Sequence, residues 1–228
     1  MPDLSRRELI PELMDDPAVD AHALFAGLRF LDLANSALGG SRLLVEPLES
    51  ALKDGHLLTI VDIGTGGAEI PRILVSRAGC RVQAIGLDLH ERTLEFARRM
   101  SPSGTGVELV RGNALALPLA TGSCDFAISS TFIHHLTDEE IVSCLAEMRR
   151  VARRGVIVTD LERSAAAYWM IRLFTLLFGN RITRHDGPVS VQRALSAGEL
   201  TALARKAGLP EPVVERRVPF RLVLSATW

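Results

Sequence analysis

Leu57-Leu58-Thr59-Ile60-Val61-Asp62-Ile63-Gly64-Thr65-Gly66-Gly67-Ala68-Glu69-Ile70-Pro71 passes from apolar to glycine-rich within a few residues. The apolar, β-branched-rich run Leu57 to Ile63 reads as a strand buried on both faces. The glycines that follow read as a tight turn. Ala68 to Ala78 then places Ile70, Ile73, Leu74 and Ala78 at helical spacing. Strand, glycine turn and helix make a nucleotide-binding βα unit, with glycine where a ligand must meet backbone rather than a Cβ. A dinucleotide fingerprint, G-x-G-x-x-G, would seat a pyrophosphate on the helix N-terminus. Here the third glycine position holds Glu69, and Asp62 stands two residues before Gly64. Two carboxylates would repel a pyrophosphate, whereas a carboxylate at Asp62 suits a ligand with positive charge.

Asp62-x-Gly64-x-Gly66-x-Ala68 resembles motif I of the class I methyltransferases, D-x-G-x-G-x-G, with alanine at the last glycine. The cofactor of that family, S-adenosylmethionine, carries an ammonium and a sulfonium and no phosphate, and becomes S-adenosylhomocysteine. A second strand, Arg81 to Leu89, brings Asp88 about 20 residues beyond the turn, the spacing of an acid that accepts ribose hydroxyls. After a third strand, Gly106 to Arg111, stands Gly112-Asn113-Ala114-Leu115-Ala116-Leu117-Pro118. The family commonly has G-D-A-x-x-L-P there, its acid reaching the adenine amino group. The amide oxygen of Asn113 can accept the same hydrogen. The resemblance implies a cofactor set of Asp62, Gly64, Thr65, Gly66, Asp88, Leu89, Asn113, Ala114 and Ser129.

The fourth strand, Cys124 to Ser130, leads into Thr131-Phe132-Ile133-His134-His135-Leu136. This is similar to the family's motif IV, an acid at the strand start and a loop often reading L-H-H. Thr137 or Asp138 caps the next helix. Paired histidines also raise the question of a metal. No third ligand is near in sequence and adjacent side chains are expected to diverge, so the site is expected to be metal-independent. His134 and His135 then serve in packing or as a general base. A fifth strand, Gly155 to Leu161, a helix from Gly198 to Ala207, and two closing strands, Val213 to Val218 and Phe220 to Trp228, complete the set. The expected fold is α/β: a Rossmann-like, seven-stranded, mostly parallel sheet with an antiparallel last strand.

Outside that unit, residues 1–54 are expected to form a helical N-terminal cap. Ser5 and Glu8 have capping-box spacing. Ala21 to Leu38 carries Leu24, Leu28, Leu31 and Ala34 on one face, and Leu43 to Leu52 is a third helix. Phe30, Asp32, Asn35, Gly40 and Arg42 are similar to an N-terminal segment of the ubiquinone and menaquinone C-methyltransferases. That likeness makes Asn35 and Arg42 candidates for cofactor or substrate contact. Residues 55–228 form the main domain, with an insert at about 162–195. In it, Ala165 to Phe178 is apolar nearly all round, a core helix or a lid over an apolar substrate, with Tyr168 and Trp169 as candidate contacts. Arg181 to Arg193 reads as a polar loop turning at Gly187-Pro188. It offers His185 as the favoured base, Asp186 to orient the loop, and Arg184 or Arg193 to hold a substrate oxygen.

The chain has 228 residues, enough for one large domain. The net charge of −1 and the absence of an amino-directed [DN]-P-P-[FY] motif argue against nucleic acid. Three scattered cysteines, Cys80, Cys124 and Cys144, fit a reducing cytoplasm. No apolar run is long enough to span a membrane, though the apolar helix leaves a peripheral contact open. The expected activity is methylation of an apolar small molecule (a phenol, quinol or polyketide) at oxygen or carbon, by a monomer or homodimer and in the setting of secondary metabolism. The alternatives are a non-catalytic S-adenosylmethionine-binding regulator and, against Asp62 and Glu69, a nicotinamide-dependent oxidoreductase.

Overall fold

The structure is a computed structural model that describes residues 2–16, 18–37, 39–78, 81–101 and 106–228. Leu38 and Cys80 lie outside the described residues. The chain order is α1 (Ala21–Ala37), α2 (Gly40–Val45), α3 (Glu49–Lys53), β1 (Leu58–Ile63), α4 (Glu69–Ala78), β2 (Val82–Asp88), α5 (Glu91–Met100) and β3 (Val107–Arg111). Then come β4 (Cys124–Ser130), α6 (Asp138–Val151), β5 (Ala152–Leu161), α7 (Ala165–Phe178), α8 (Arg181–Arg193), α9 (Ala197–Lys206), β6 (Val213–Arg217) and β7 (Arg221–Thr227). The sheet runs β3-β2-β1-β4-β5-β7-β6. Strands β1 to β5 pair in parallel, and β7 inserts antiparallel to β5 and β6. The expected seven-stranded fold is therefore the observed one.

Alternation along the strands separates two apolar layers. Leu58 and Ile60 of β1, Phe126 and Ile128 of β4, and Ile157 of β5 pack against α2, α3 and α4. Val61, Ile63, Ala127, Val156 and Val158 point the other way, to Ile141, Leu145 and Met148 of α6 and Leu200 and Leu203 of α9. Each fully buried leucine or isoleucine contributes about 1.5–3 kcal/mol. Helix starts are sealed locally, by Thr137 with Glu140 for α6 and by Ser196 with Glu199 for α9. Connections leave β1 in opposite directions, toward β2 on one side and β4 on the other. This opens a crevice beyond the carboxyl ends of β1 and β4, where ligands bind in such sheets.

Three expectations fail. No helix forms at Ser5–Glu8. Ser5 bonds instead to Asp3, and Glu8 N–H donates to Gln192 O at 3.1 Å. Residues 2–12 are irregular and lie over α8 and the histidine loop. The third cap helix is divided by a single tight turn at Glu46–Leu48, where Pro47 supplies no N–H. Arg181–Arg193 is a helix, not a loop. Asn180 caps it by accepting from Thr183 N–H at 2.9 Å, and Pro188 lies inside it. Gly187 is needed for packing rather than for a turn: a Cβ there would meet Thr175 Cγ2 at 2.8 Å and Ile171 Cγ2 at 3.0 Å on α7. Helix α7 itself is neither wholly core nor wholly lid. Ala167, Tyr168 and Thr175 are buried, whereas Leu173, Leu176, Leu177 and Phe178 are exposed.

Candidate active site

The crevice is the mouth of a cavity of about 530 Å3. The glycine turn forms its floor. Gly64, with φ of 69°, lies under Phe132, whose ring stands where a Cβ would be. A Cβ on Gly66 would meet nothing within 4 Å, which leaves room for a ligand against the backbone. The turn is held by Gly64 N–H and Thr65 N–H donating to Leu87 O at 2.9 and 3.0 Å.

Three carboxylates surround this floor. Asp62 is buried, and one of its oxygens accepts from Thr65 Oγ1 at 2.7 Å. Its other oxygen, Oδ1, has no hydrogen-bond partner among the described residues. Burial, with help from the charges of Asp88 and Glu69 and against the Thr65 hydroxyl, pushes the Asp62 carboxyl up to about 7. Asp88 accepts Gly66 N–H at 3.1 Å and His90 N–H at 3.0 Å. Burial raises its pKa, and those hydrogen bonds oppose the rise. Glu69 is likewise pushed up to about 7 by burial, although it accepts from Ser41 Oγ at 2.7 Å. Arg72 holds Asp32 of α1 beside the turn at 3.0 Å.

The opposite wall is apolar. It includes Leu24, Leu28, Phe30 and Leu31 of α1 and Ile171 and Phe174 of α7. The α1 face expected from Leu24, Leu28, Leu31 and Ala34 thus lines the cavity, and Leu24 and Leu28 also pack on Phe96 of α5. Arg221, buried at the start of β7, donates to Thr131 Oγ1 and Asn35 Oδ1, both at 2.8 Å, and joins that wall to the loop after β4. Burial lowers its pKa.

At one end stand His134 and His135. Their rings are 4.3 Å apart, so the expectation that adjacent histidines diverge does not hold. His134 Nδ1 pairs with Asp160 Oδ1 at 2.7 Å, and His135 Nδ1 with Asp15 Oδ2 at 2.9 Å. Burial would raise both carboxyls, but the histidines hold them below the usual range. Glu12 faces both rings, 3.7 Å from His134 Nε2 and 3.8 Å from His135 Nε2. Burial pushes Glu12 up to about 7.

Of the residues expected at a cofactor, Asp62, Gly64, Thr65, Gly66, Asp88, Leu89, Asn113 and Ala114 line this one cavity. Ser129 does not. It is buried, and its hydroxyl donates to Ile63 O at 2.8 Å, while its neighbour Ser130 faces the cavity. Asn113 uses Oδ1 to accept Leu115 N–H at 2.9 Å. The expected substrate contacts lie elsewhere: Tyr168, Trp169, Arg184 and Arg193 are not on the lining. Arg193 is buried and spends its guanidinium on main-chain carbonyls, those of His134 at 3.2 Å, His135 at 2.6 Å and Ile10 at 2.5 Å. His185 is also off the lining and pairs with its neighbour Asp186 at 2.8 Å. Adjacent side chains meet here because Asp186 is fixed by accepting Leu13 N–H and Met14 N–H at 2.8 and 3.0 Å. Asn35 faces the cavity and Arg42 is exposed. Glu12, Asp15, Asp160 and Arg221 were not anticipated. An acid and an arginine within the apolar strand runs Gly155–Leu161 and Arg221–Ala226 were the available signal for the last two, and nothing local marked Glu12.

The pattern of the methyltransferase domain family matches residues 60–155, from β1 into β5. The chain has the class I methyltransferase fold. A methyltransferase from Aquifex aeolicus described as SAM-dependent superposes with a TM-score of 0.62 at 18% identity, covering 92% of this chain and 98% of that one. Human N-acetylserotonin methyltransferase, solved in complex with SAM, gives 0.66 at 14% identity over 96% of this chain and 63% of its own. In sequence, this chain is 32% identical over 104 residues to demethylmenaquinone methyltransferase of Staphylococcus epidermidis, covering 46% of this chain and 42% of that protein. The corresponding Desulfitobacterium hafniense enzyme is 34% identical over 108 residues. The chain thus spans less than half the length of these relatives.

Proposed function

We propose that the chain is an S-adenosylmethionine-dependent methyltransferase acting on an apolar small molecule with an acidic O–H or C–H. The supporting observation is a single cavity that joins a glycine floor ringed by carboxylates to an apolar wall from α1 and α7. In this reading the free Asp62 Oδ1 receives the ammonium of the cofactor. Asp88 accepts the ribose hydroxyls with its remaining lone pairs, and Asn113 and Ala114 border the adenine. The apolar wall holds the acceptor, a ring compound of the quinol or phenol class. The demethylmenaquinone methyltransferase relatives support that substrate class.

Methyl transfer is an in-line displacement. The acceptor's electron pair forms the new bond to the methyl carbon, and the carbon–sulfur pair returns to sulfur, giving S-adenosylhomocysteine. The protein supplies alignment and water exclusion. A phenol of pKa about 10 needs its proton removed near neutrality. His134, His135 and Glu12 stand at the acceptor end of the cavity and take that role, in place of the more remote His185.

Isothermal titration with S-adenosylmethionine and S-adenosylhomocysteine, with NADH and NADPH as controls, tests the reading. Micromolar binding of the sulfur nucleotides, weakened about tenfold or more in Asp88→Ala through loss of a charge-assisted hydrogen bond, is expected. Binding of a nicotinamide alone, or of none of the four, would overturn it.

A further inference from the structure

We propose that Glu12, His134 and His135 bind a divalent transition-metal ion whose open positions face the acceptor end of the cavity. Their ligand atoms all lie within 4.8 Å of one another. The distances from Glu12 to the two Nε2 atoms, 3.7 and 3.8 Å, are too long for hydrogen bonds. They are a few tenths of an ångström above the ~3.4 Å ligand–ligand edge that bonds of about 2.0–2.2 Å give in a tetrahedral site. Neither Nε2 has a hydrogen-bond partner among the described residues.

The surroundings are those a metal-binding imidazole needs. Asp160 and Asp15 each take the Nδ1 hydrogen of one histidine, which leaves the Nε2 lone pair directed at Glu12. The histidine loop is fixed from behind. Arg193 donates to the carbonyls of both histidines, and Arg7 donates to those of His134 and Leu136. Glu12 is positioned by Ser190 Oγ, which donates to it at 3.0 Å. The nearest guanidinium to Glu12, that of Arg193, is 3.8 Å away and committed to carbonyls. A cation between the three groups compensates a buried carboxylate that also faces Asp15 and Asp186. Two imidazoles and one carboxylate select zinc or another first-row ion over magnesium or calcium, which prefer oxygen-only shells. The proposed function bears on this only through what the ion faces. With an ion bound, acidification of the acceptor passes from the histidines to the metal.

The test is titration of the tag-free full chain with zinc, alongside the visible spectrum of its cobalt(II) form. One ion per chain is expected. Affinity should fall at least about tenfold in Glu12→Gln and in His135→Gln, and about 10–100-fold in Asp160→Asn. Magnesium should not compete. No zinc binding, or binding undiminished in Glu12→Gln with an unchanged melting curve, overturns the site. Glu12→Gln decides the matter should the histidine variant fail to fold. S-adenosylmethionine is titrated in parallel. If S-adenosylmethionine binds and zinc does not, the metal site falls and the methyltransferase reading stands, and if zinc binds and S-adenosylmethionine does not, the reverse holds.

Discussion

Asp62 couples the charge of the turn to pH. Its carboxyl, pushed up to about 7 by burial, faces Thr65, Asp88 and Glu69, and its Oδ1 has no hydrogen-bond partner among the described residues. The folded protein keeps this proton, and that of Glu69, where the unfolded chain has already lost both. Their contribution to stability is therefore full below the ordinary carboxylate range and is lost as pH rises through about 7. A cationic ligand at Asp62 needs the ionised form, so its affinity should run the other way. Calorimetric titration should show S-adenosylmethionine binding more tightly from pH 6 to 8, by about tenfold in all for one linked proton. Asp62→Asn should flatten that profile. A flat wild-type profile would separate Asp62 from the ligand.

Helices α7 and α8 form a pair whose closeness depends on Gly187. Gly187→Ala places a methyl against Thr175 and Ile171, and overpacking of this kind costs about 1–3 kcal/mol. Thermal unfolding should show a lowered melting temperature. Ile171 and Phe174 would also shift in the cavity wall, so acceptor binding should weaken more than cofactor binding. An unchanged melting curve would mean that the two helices can part freely. This element was misread because Gly-Pro is a turn signal in local sequence, whereas here glycine serves close packing and proline is carried within a helix held by α7 and the N-terminal segment. The Ser5–Glu8 spacing failed for a related reason. A capping box specifies a helix start only where a helix can bury a face, and residues 2–12 instead bind Gln192, Arg193 and Ser190.

Across the molecule, a preformed sheet carries the glycine turn, and the N-terminal segment closes the far end of the cavity with Glu12 and Asp15. Asp186 tethers that segment through Leu13 and Met14. Asp186→Ala should release it, because each hydrogen bond to a charged group is worth about 1.5–3 kcal/mol. Hydrogen exchange at residues 13–14 should quicken while β1 and β4 stay protected; equal exchange in the variant would show that other contacts suffice. No helix among the described residues is long and apolar enough to cross a membrane. The sequence alone determined the central strands and the residues of the glycine turn. Each of these rests on short-range periodicity and on spacings within one βαβ unit. Asp62, Gly66, Asp88 and Asn113 were legible because consecutive strand ends bring them together wherever the unit forms. Only the tertiary structure decided the histidine end of the cavity. Glu12, His134, Asp160 and Arg221 lie far apart in the chain, and their meeting depends on how the N-terminal segment, the β4 loop, β5 and β7 pack. Burial raises Glu12, and the His134 partner holds Asp160 low, and no local pattern records either.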